Sequence, residues 1–149
     1  MTDDITSMGY AIRWALPEDA EGIVRVVDQT YSYDVEKDAD GFSGWTRHVG
    51  TILPLYRVLC DHDRVIAICK TGARRLQLGS ARITSAEVSE LSVLPEFQGR
   101  GLGTLLMRDL LDIVAHREIG LLRLNSRRLD LLPFYSTFGF FRFESRTVH

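Results

Sequence analysis

The densest run of chemistry in this 149-residue chain lies between Gln98 and Thr104, where Gly99, Gly101 and Gly103 alternate with Arg100 and Leu102. The run follows an alternating, strand-like stretch at residues 86–94 and leads into a helical apolar pattern. A glycine-rich turn at a helix start lets several backbone N–H groups converge on an oxyanion, and the positive end of the helix dipole adds attraction. A tight strand-to-helix turn also needs glycines, so the loop alone leaves both readings open. Two nucleotide loops are excluded. Counted from Gly99, the GxGxxG fingerprint would need its third glycine where Thr104 stands, and a P-loop would need a lysine that does not follow.

Two carboxylates precede the loop on the same expected strand. Glu87 and Glu90 are three residues apart, so strand alternation sends them to opposite faces. Either also suits a solvated or salt-bridged strand edge. No activated serine or cysteine nucleophile stands out. Cys60 and Cys69 form no CxxC pair, and with no secretory-type leader they read as reduced thiols of a cytoplasmic protein. His48, His62, His116 and His149 are scattered without metal-ligand spacing, which points away from a metal site. The formal charge of -2 argues against a general nucleic-acid binder. No apolar run reaches the roughly 18–20 residues needed to span a membrane. The length suits one domain over residues 1–149.

Around the loop, periodicity predicts a mixed α/β order. Residues 10–14 alternate as a first strand. Pro17, Glu18 and Asp19 suit the opening turn of a helix that runs to about Thr30, with Ile23, Val24, Val26 and Val27 on its apolar side. Residues 31–44 read as a mobile connection or short helices. A second helical piece is expected at 45–55, and residues 56–60 fit either a short strand or that helix's last turn. Strands follow at 64–70, 76–84 and 86–94, joined by a turn at 71–75 and by Ser85, with Gly79 marking a bulge or close approach. Tight links of this kind imply an antiparallel meander. A helix is predicted over 103–118, with Leu102, Leu105, Leu106, Leu110, Ile113 and Val114 on its apolar face. Arg108, Asp109, Asp112 and His116 take the opposite side. Residues 121–125 return as a buried strand, parallel to the one before the helix if the crossover is right-handed. Asp130 is expected to cap a short helix that carries Pro133 and ends at Gly139. Residues 140–145 would form a final strand, with Phe138, Phe140 and Phe141 in the core.

Residues 87–106 resemble the acyl-CoA-binding core motif of the GCN5-related N-acetyltransferase (GNAT) superfamily, whose pattern is Q/R-x-x-G-x-G/A; Gln98, Gly101 and Gly103 fit it. The run LPFYSTFGFF, residues 132–141, resembles the family's FYxxxGF signature, with Tyr135, Gly139 and Phe140 in place. IRWALPEDAEGI is similar to the family's first strand and helix, whereas residues 31–60 carry no usable part of the likeness.

The resemblance implies the acyl-CoA N-acyltransferase fold, a mixed, mostly antiparallel sheet flanked by helices on both faces and opening in a V where the central parallel strands part. It implies acetyl-CoA as co-substrate and acetyl transfer to a primary amine by direct attack in a ternary complex. In the loop of Gln98 and Gly99, the pyrophosphate would accept N–H bonds from the residues matching Arg100, Gly101, Leu102, Gly103 and Thr104. Arg100 adds a charged contact or points to solvent. The pantetheine arm would run beside Leu91, Ser92 and Val93, and Asn125 either bonds the CoA chain or serves as a structural cap. Tyr135 matches the tyrosine that gives its proton to the departing thiolate. Glu87, eleven residues before Gln98, has the spacing of the base in the histone-acetylating branch. Glu90 sits where other branches place acidic or water-holding residues, and Glu87 is favoured.

Acceptor choice in the family comes from the region between the first two helices. Here Tyr31, Tyr33, Asp34, Glu36, Asp38 and Asp40 suit a cationic small-molecule or peptide amine, or form an acidic solvated loop. Homodimers paired through C-terminal strands are common in the family. The rival reading is a non-catalytic acyl-CoA-binding regulator.

Overall fold

The computed structural model describes residues 9–30, 41–126 and 128–142. Strand β1 (Tyr10–Trp14) opens the sheet as the alternation predicts. A 3-10 turn, Pro17–Asp19, leads into helix α1 (Ala20–Thr30), whose Ile23, Val24, Val26 and Val27 are buried. The Asp19 carboxylate accepts the Leu16 N–H at 2.7 Å and two Arg13 N–H groups at 2.5 and 3.0 Å, tying β1 to the start of α1. Burial alone would raise this carboxyl; the bonds from Arg13 and Leu16 outweigh it and hold it below the usual carboxylate range.

Helix α2 (Gly41–Thr51) starts and ends four residues earlier than the 45–55 expected. Gly41 and Gly44 hide its first turn, because glycine is a poor helix former. Phe42, Trp45 and Val49 nevertheless fall at helical spacing and pack on one core cluster. Pro54 lies in the following 3-10 turn, Leu53–Leu55, and strand β2 (Tyr56–Asp61) comes next, settling the strand-or-last-turn alternative. The acidic stretch at 31–40 lies outside the described residues.

Strands β3 (Arg64–Leu78) and β4 (Ala81–Val93) correct the expected meander. They are one long hairpin, not three strands. The supposed turn at 71–75 is strand, paired from Thr71↔Val88 to Arg75↔Thr84, and the chain reverses instead at Gly79, where φ is +61°. Residues 73–75 are exposed, so this half of the hairpin lacks the apolar run that marks 64–70 and its polar text imitates a loop.

Helix α3 (Leu102–His116) crosses from β4 to β5 (Leu121–Leu124), which pairs parallel to β4 as the crossover predicts. The order β1-β2-β3-β4-β5 is antiparallel except at that last pair. Helices cover both faces. Asp109 does not face solvent as expected. It takes a two-pronged bond from Arg57 of β2 at 2.8 and 2.7 Å, and the Arg57 guanidinium also lies 4.8 Å from the Trp14 ring centre. A charge at the edge of an apolar helix face meets a partner only through tertiary pairing, which helical spacing alone does not reveal.

A 3-10 turn, Leu129–Leu131, precedes the short helix α4 (Leu132–Ser136). Asp130 does not cap it. Its carboxylate turns back to Arg128 at 2.5 Å, and Leu131 holds the cap position. Residues 140–142 are not strand, and the remainder of the expected final strand lies outside the described residues. Phe138 and Phe140 pack on the second core cluster, whereas Phe141 is 85% exposed, against its expected place in the core. No helix among the described residues is long and apolar enough to cross a membrane.

Candidate active site

Three features converge where β4, α3 and α4 meet. The first is the gap between the parallel strands. Pairing of β4 with β5 runs from Ser85↔Leu121 to Val88↔Leu124 and stops there, while β4 continues to Val93. The edge of β4 over residues 89–93 therefore has no β5 partner among the described residues, and its backbone groups can pair with another extended chain.

The second is a bulge within that same segment. Ile68 pairs with Ser92 and Lys70 with Ser89, so two steps on β3 oppose three on β4. The extra residue falls at Glu90, whose φ is +53°. This overturns the expectation that Glu87 and Glu90 face opposite ways. Tyr56, Lys70 and Ser89 are register partners and share a face with Glu87 by alternation. Glu90 reaches that same face, where its Oε2 accepts the Tyr56 hydroxyl at 2.6 Å. The two glutamates are not equivalent. Glu87 is ion-paired with Arg123 of β5 at 3.0 Å, whereas Glu90 is held by a neutral phenol.

The third is the glycine loop. After the 3-10 turn Pro95–Phe97, Gly99 and Gly101 both take φ of +78°, and Gly101 caps α3 without any side-chain bond. Space is not the reason for glycine here, since a Cβ at either position would meet nothing within 4 Å. The left-handed backbone is. The first intrahelical bond is Leu105 N–H to Gly101 O at 3.1 Å, which leaves the N–H groups of Leu102, Gly103 and Thr104 directed out of the helix end. Gln98 donates to the Val93 carbonyl at 3.0 Å and so fastens the loop to the end of β4. Arg100 folds over Phe97, 5.0 Å from the ring centre, and donates to the Glu96 carbonyl. A Cβ on Gly103 would stand 3.7 Å from Phe134 and 4.0 Å from Val93, so helix start, strand end and α4 adjoin.

Tyr135 projects from α4 into the second core cluster with Cys69, Val88, Met107 and Leu110, edge-on to Phe134 and Phe140. Leu91 and Leu124, on the two parting strands, pack against the same cluster. Ser92 is buried and Val93 half-buried, and Asn125 is exposed just past the end of β5. The thiols are poor nucleophiles. Burial raises Cys60, and it pushes Cys69 up to about 12, with Asp109 adding to the effect. Tyr56, Lys70 and Arg123 carry no signal in the sequence, because nothing in a strand's own text shows what it faces across the sheet.

A GNAT acetyltransferase domain model matches residues 55–141, more than half of the chain. The chain belongs to the GNAT acetyltransferase family. Among curated proteins, the uncharacterized N-acetyltransferase ycf52 of Porphyra purpurea is 28% identical over 117 residues, covering 74% of this chain. The match spans 64% of that relative's length. Solved structures share the GNAT architecture. A transcriptional regulator from Bacillus halodurans superposes with a TM-score of 0.72 at 19% identity, covering 94% of this chain and 99% of its own. A predicted acetyltransferase from Clostridium acetobutylicum, solved with acetyl-CoA, gives 0.71 at 18% identity, covering 94% and 95%. In this GNAT domain the glycine loop follows directly on β4, the strand that carries both the bulge and the parting from β5.

Proposed function

We propose that the chain is an acetyl-CoA-dependent N-acetyltransferase that acetylates a primary amine by direct attack in a ternary complex. The observation that carries the proposal is the outward-directed N–H triplet at the start of α3 beside a β4 edge that has no β5 partner among the described residues. One holds an anion, the other an extended arm bearing amides. The pyrophosphate of acetyl-CoA fits the first and its pantetheine the second, which would bring the thioester to the gap flanked by Glu90 and by the cluster containing Tyr135. Acetyl-CoA bound to a structural neighbour of the same fold supports this choice of donor.

In the reaction, the neutral amine nitrogen attacks the thioester carbonyl carbon, and the C–S bond breaks as the C–N bond is completed. Glu90 takes the amine proton, directly or through one water, and Tyr135 supplies a proton to the thiolate. We assign the base to Glu90 rather than Glu87, because Glu87 is occupied by Arg123. The high thiol pKa of Cys69 argues against a covalent acetyl-enzyme.

The acceptor has two readings. The acids at 31–40 favour a cationic amine. Lys70, which has no ion-pair partner among the described residues and lies 6.0 Å from the Tyr56 ring centre, favours an amine that also bears an acid group. The test is thiol release from acetyl-CoA against polyamines, lysine-like amines, amino acids and peptide N-termini. Amine-dependent release is expected from one of these classes. Tight acetyl-CoA binding with no release on any amine would favour the non-catalytic regulator instead.

A further inference from the structure

We propose that Tyr56 is a positioning residue for the transfer reaction: its phenol clamps one oxygen of Glu90 so that the other faces the acceptor amine. The inference rests on the acetyltransferase reading, with Glu90 as base.

Tyr56 opens β2, and two inter-strand steps of roughly 4.8 Å separate it from β4. Its register partner on β3 is Lys70, which in turn faces Ser89, so the phenol crosses a strand to reach the residue beside Ser89. Serine or threonine would not span that distance, and phenylalanine would span it without a hydroxyl. The Tyr56 O–H to Glu90 Oε2 separation of 2.6 Å is in the short range of hydrogen bonds to a charged acceptor. The ring is only 2% exposed, so the donor is fixed by the core.

Glu90 is the part that needs holding. It is one of three non-glycine residues with positive φ among those described, a region where a side chain crowds the backbone. Such a conformation persists only where its surroundings enforce it, and it concentrates where function needs it. The bulge brings Glu90 to the cleft face, and the phenol then selects its orientation. Oε2 is satisfied by Tyr56, and Oε1 has no hydrogen-bond partner among the described residues. Oε1 is the oxygen that receives the amine proton, while Tyr56 keeps its own proton throughout. Its role is acceptor-side geometry and leaves donor binding alone.

The test compares wild type, Tyr56→Phe, Glu90→Gln and the double variant, at saturating acetyl-CoA with an amine that the wild type acetylates. Tyr56→Phe is expected to lower kcat about 10- to 100-fold, the scale of a misplacement of about 1 Å. Its affinity for acetyl-CoA should be unchanged, and its melting temperature should fall by a few degrees, as for one lost hydrogen bond to a charged group, leaving the protein folded in the assay. In the Glu90→Gln background the same substitution should cost almost nothing more, since both act through one group. An unchanged kcat in Tyr56→Phe overturns the inference, as does a full repeat of its effect on top of Glu90→Gln, which would mark a packing role. A wild type that binds acetyl-CoA but releases no thiol with any amine overturns the acetyltransferase reading itself, and the inference falls with it. The two failures are therefore distinguishable.

Discussion

At the scale of single residues, the site depends on which polar groups are already engaged. The family likeness favours Glu87 as the base through its spacing from Gln98. The proposed base is instead Glu90, because Glu87 is ion-paired with Arg123 and Glu90 is bonded only to the Tyr56 hydroxyl among the described residues. Nothing in the text around residue 87 or 123 announces the pair, which is made across a parallel ladder. Tyr135 is legible through its motif, and the structure sets it among Val88, Leu91 and Leu124 beside the gap. The cysteines show a different kind of legibility. Their lack of motif suggests inert thiols, and burial supplies the reason by raising both, Cys69 to about 12. Iodoacetamide at mildly alkaline pH should therefore label neither thiol of the folded protein nor reduce its turnover, while both thiols react after denaturation; intact-mass measurement reads this out. Rapid labelling with loss of activity would reopen a cysteine route.

At the scale of elements, the glycine loop and α3 are almost fully readable, because local backbone demands are written locally: positive φ at Gly99 and Gly101, apolar spacing after Leu102. The β3–β4 hairpin is not, because its outer half is exposed and leaves no alternation to read. The bulge at Glu90 is equally invisible, since a bulge is defined by two strands together. The junction of β1 and α1 supports a stability prediction. Asp19 is held below its ordinary range in the folded protein, so its contribution is present above the unfolded value of about 3.9 and is lost as pH falls through the lower folded value. Replacing Asp19 by Asn should cost about 2 kcal/mol at neutral pH, the scale of a hydrogen bond to a charged group. Urea unfolding should show that deficit shrink below about pH 4, where wild type loses the same contribution. A deficit independent of pH would mean that shape rather than charge holds this junction.

At the scale of the whole molecule, the mostly antiparallel sheet and its parallel β4–β5 pair follow from the motifs and one crossover rule, whereas the count of strands and the limits of α2 do not. The topology explains why function collects at one place. A parallel pair that stops after Val88↔Leu124 leaves the β4 edge over residues 89–93 without a β5 partner among the described residues, and the helix that makes the crossover starts just after that segment. In the proposed reaction, donor recognition by backbone and acid–base chemistry by side chains would both follow from one parting of strands. The most direct measurement is a crystal structure of the protein with acetyl-CoA. Pyrophosphate oxygens are expected on the N–H groups of Leu102, Gly103 and Thr104, pantetheine amides along residues 89–93, and the thioester on the side of the gap where Glu90 and Tyr135 reach it. A pyrophosphate bound away from the start of α3, or a thioester remote from both residues, would contradict this assignment.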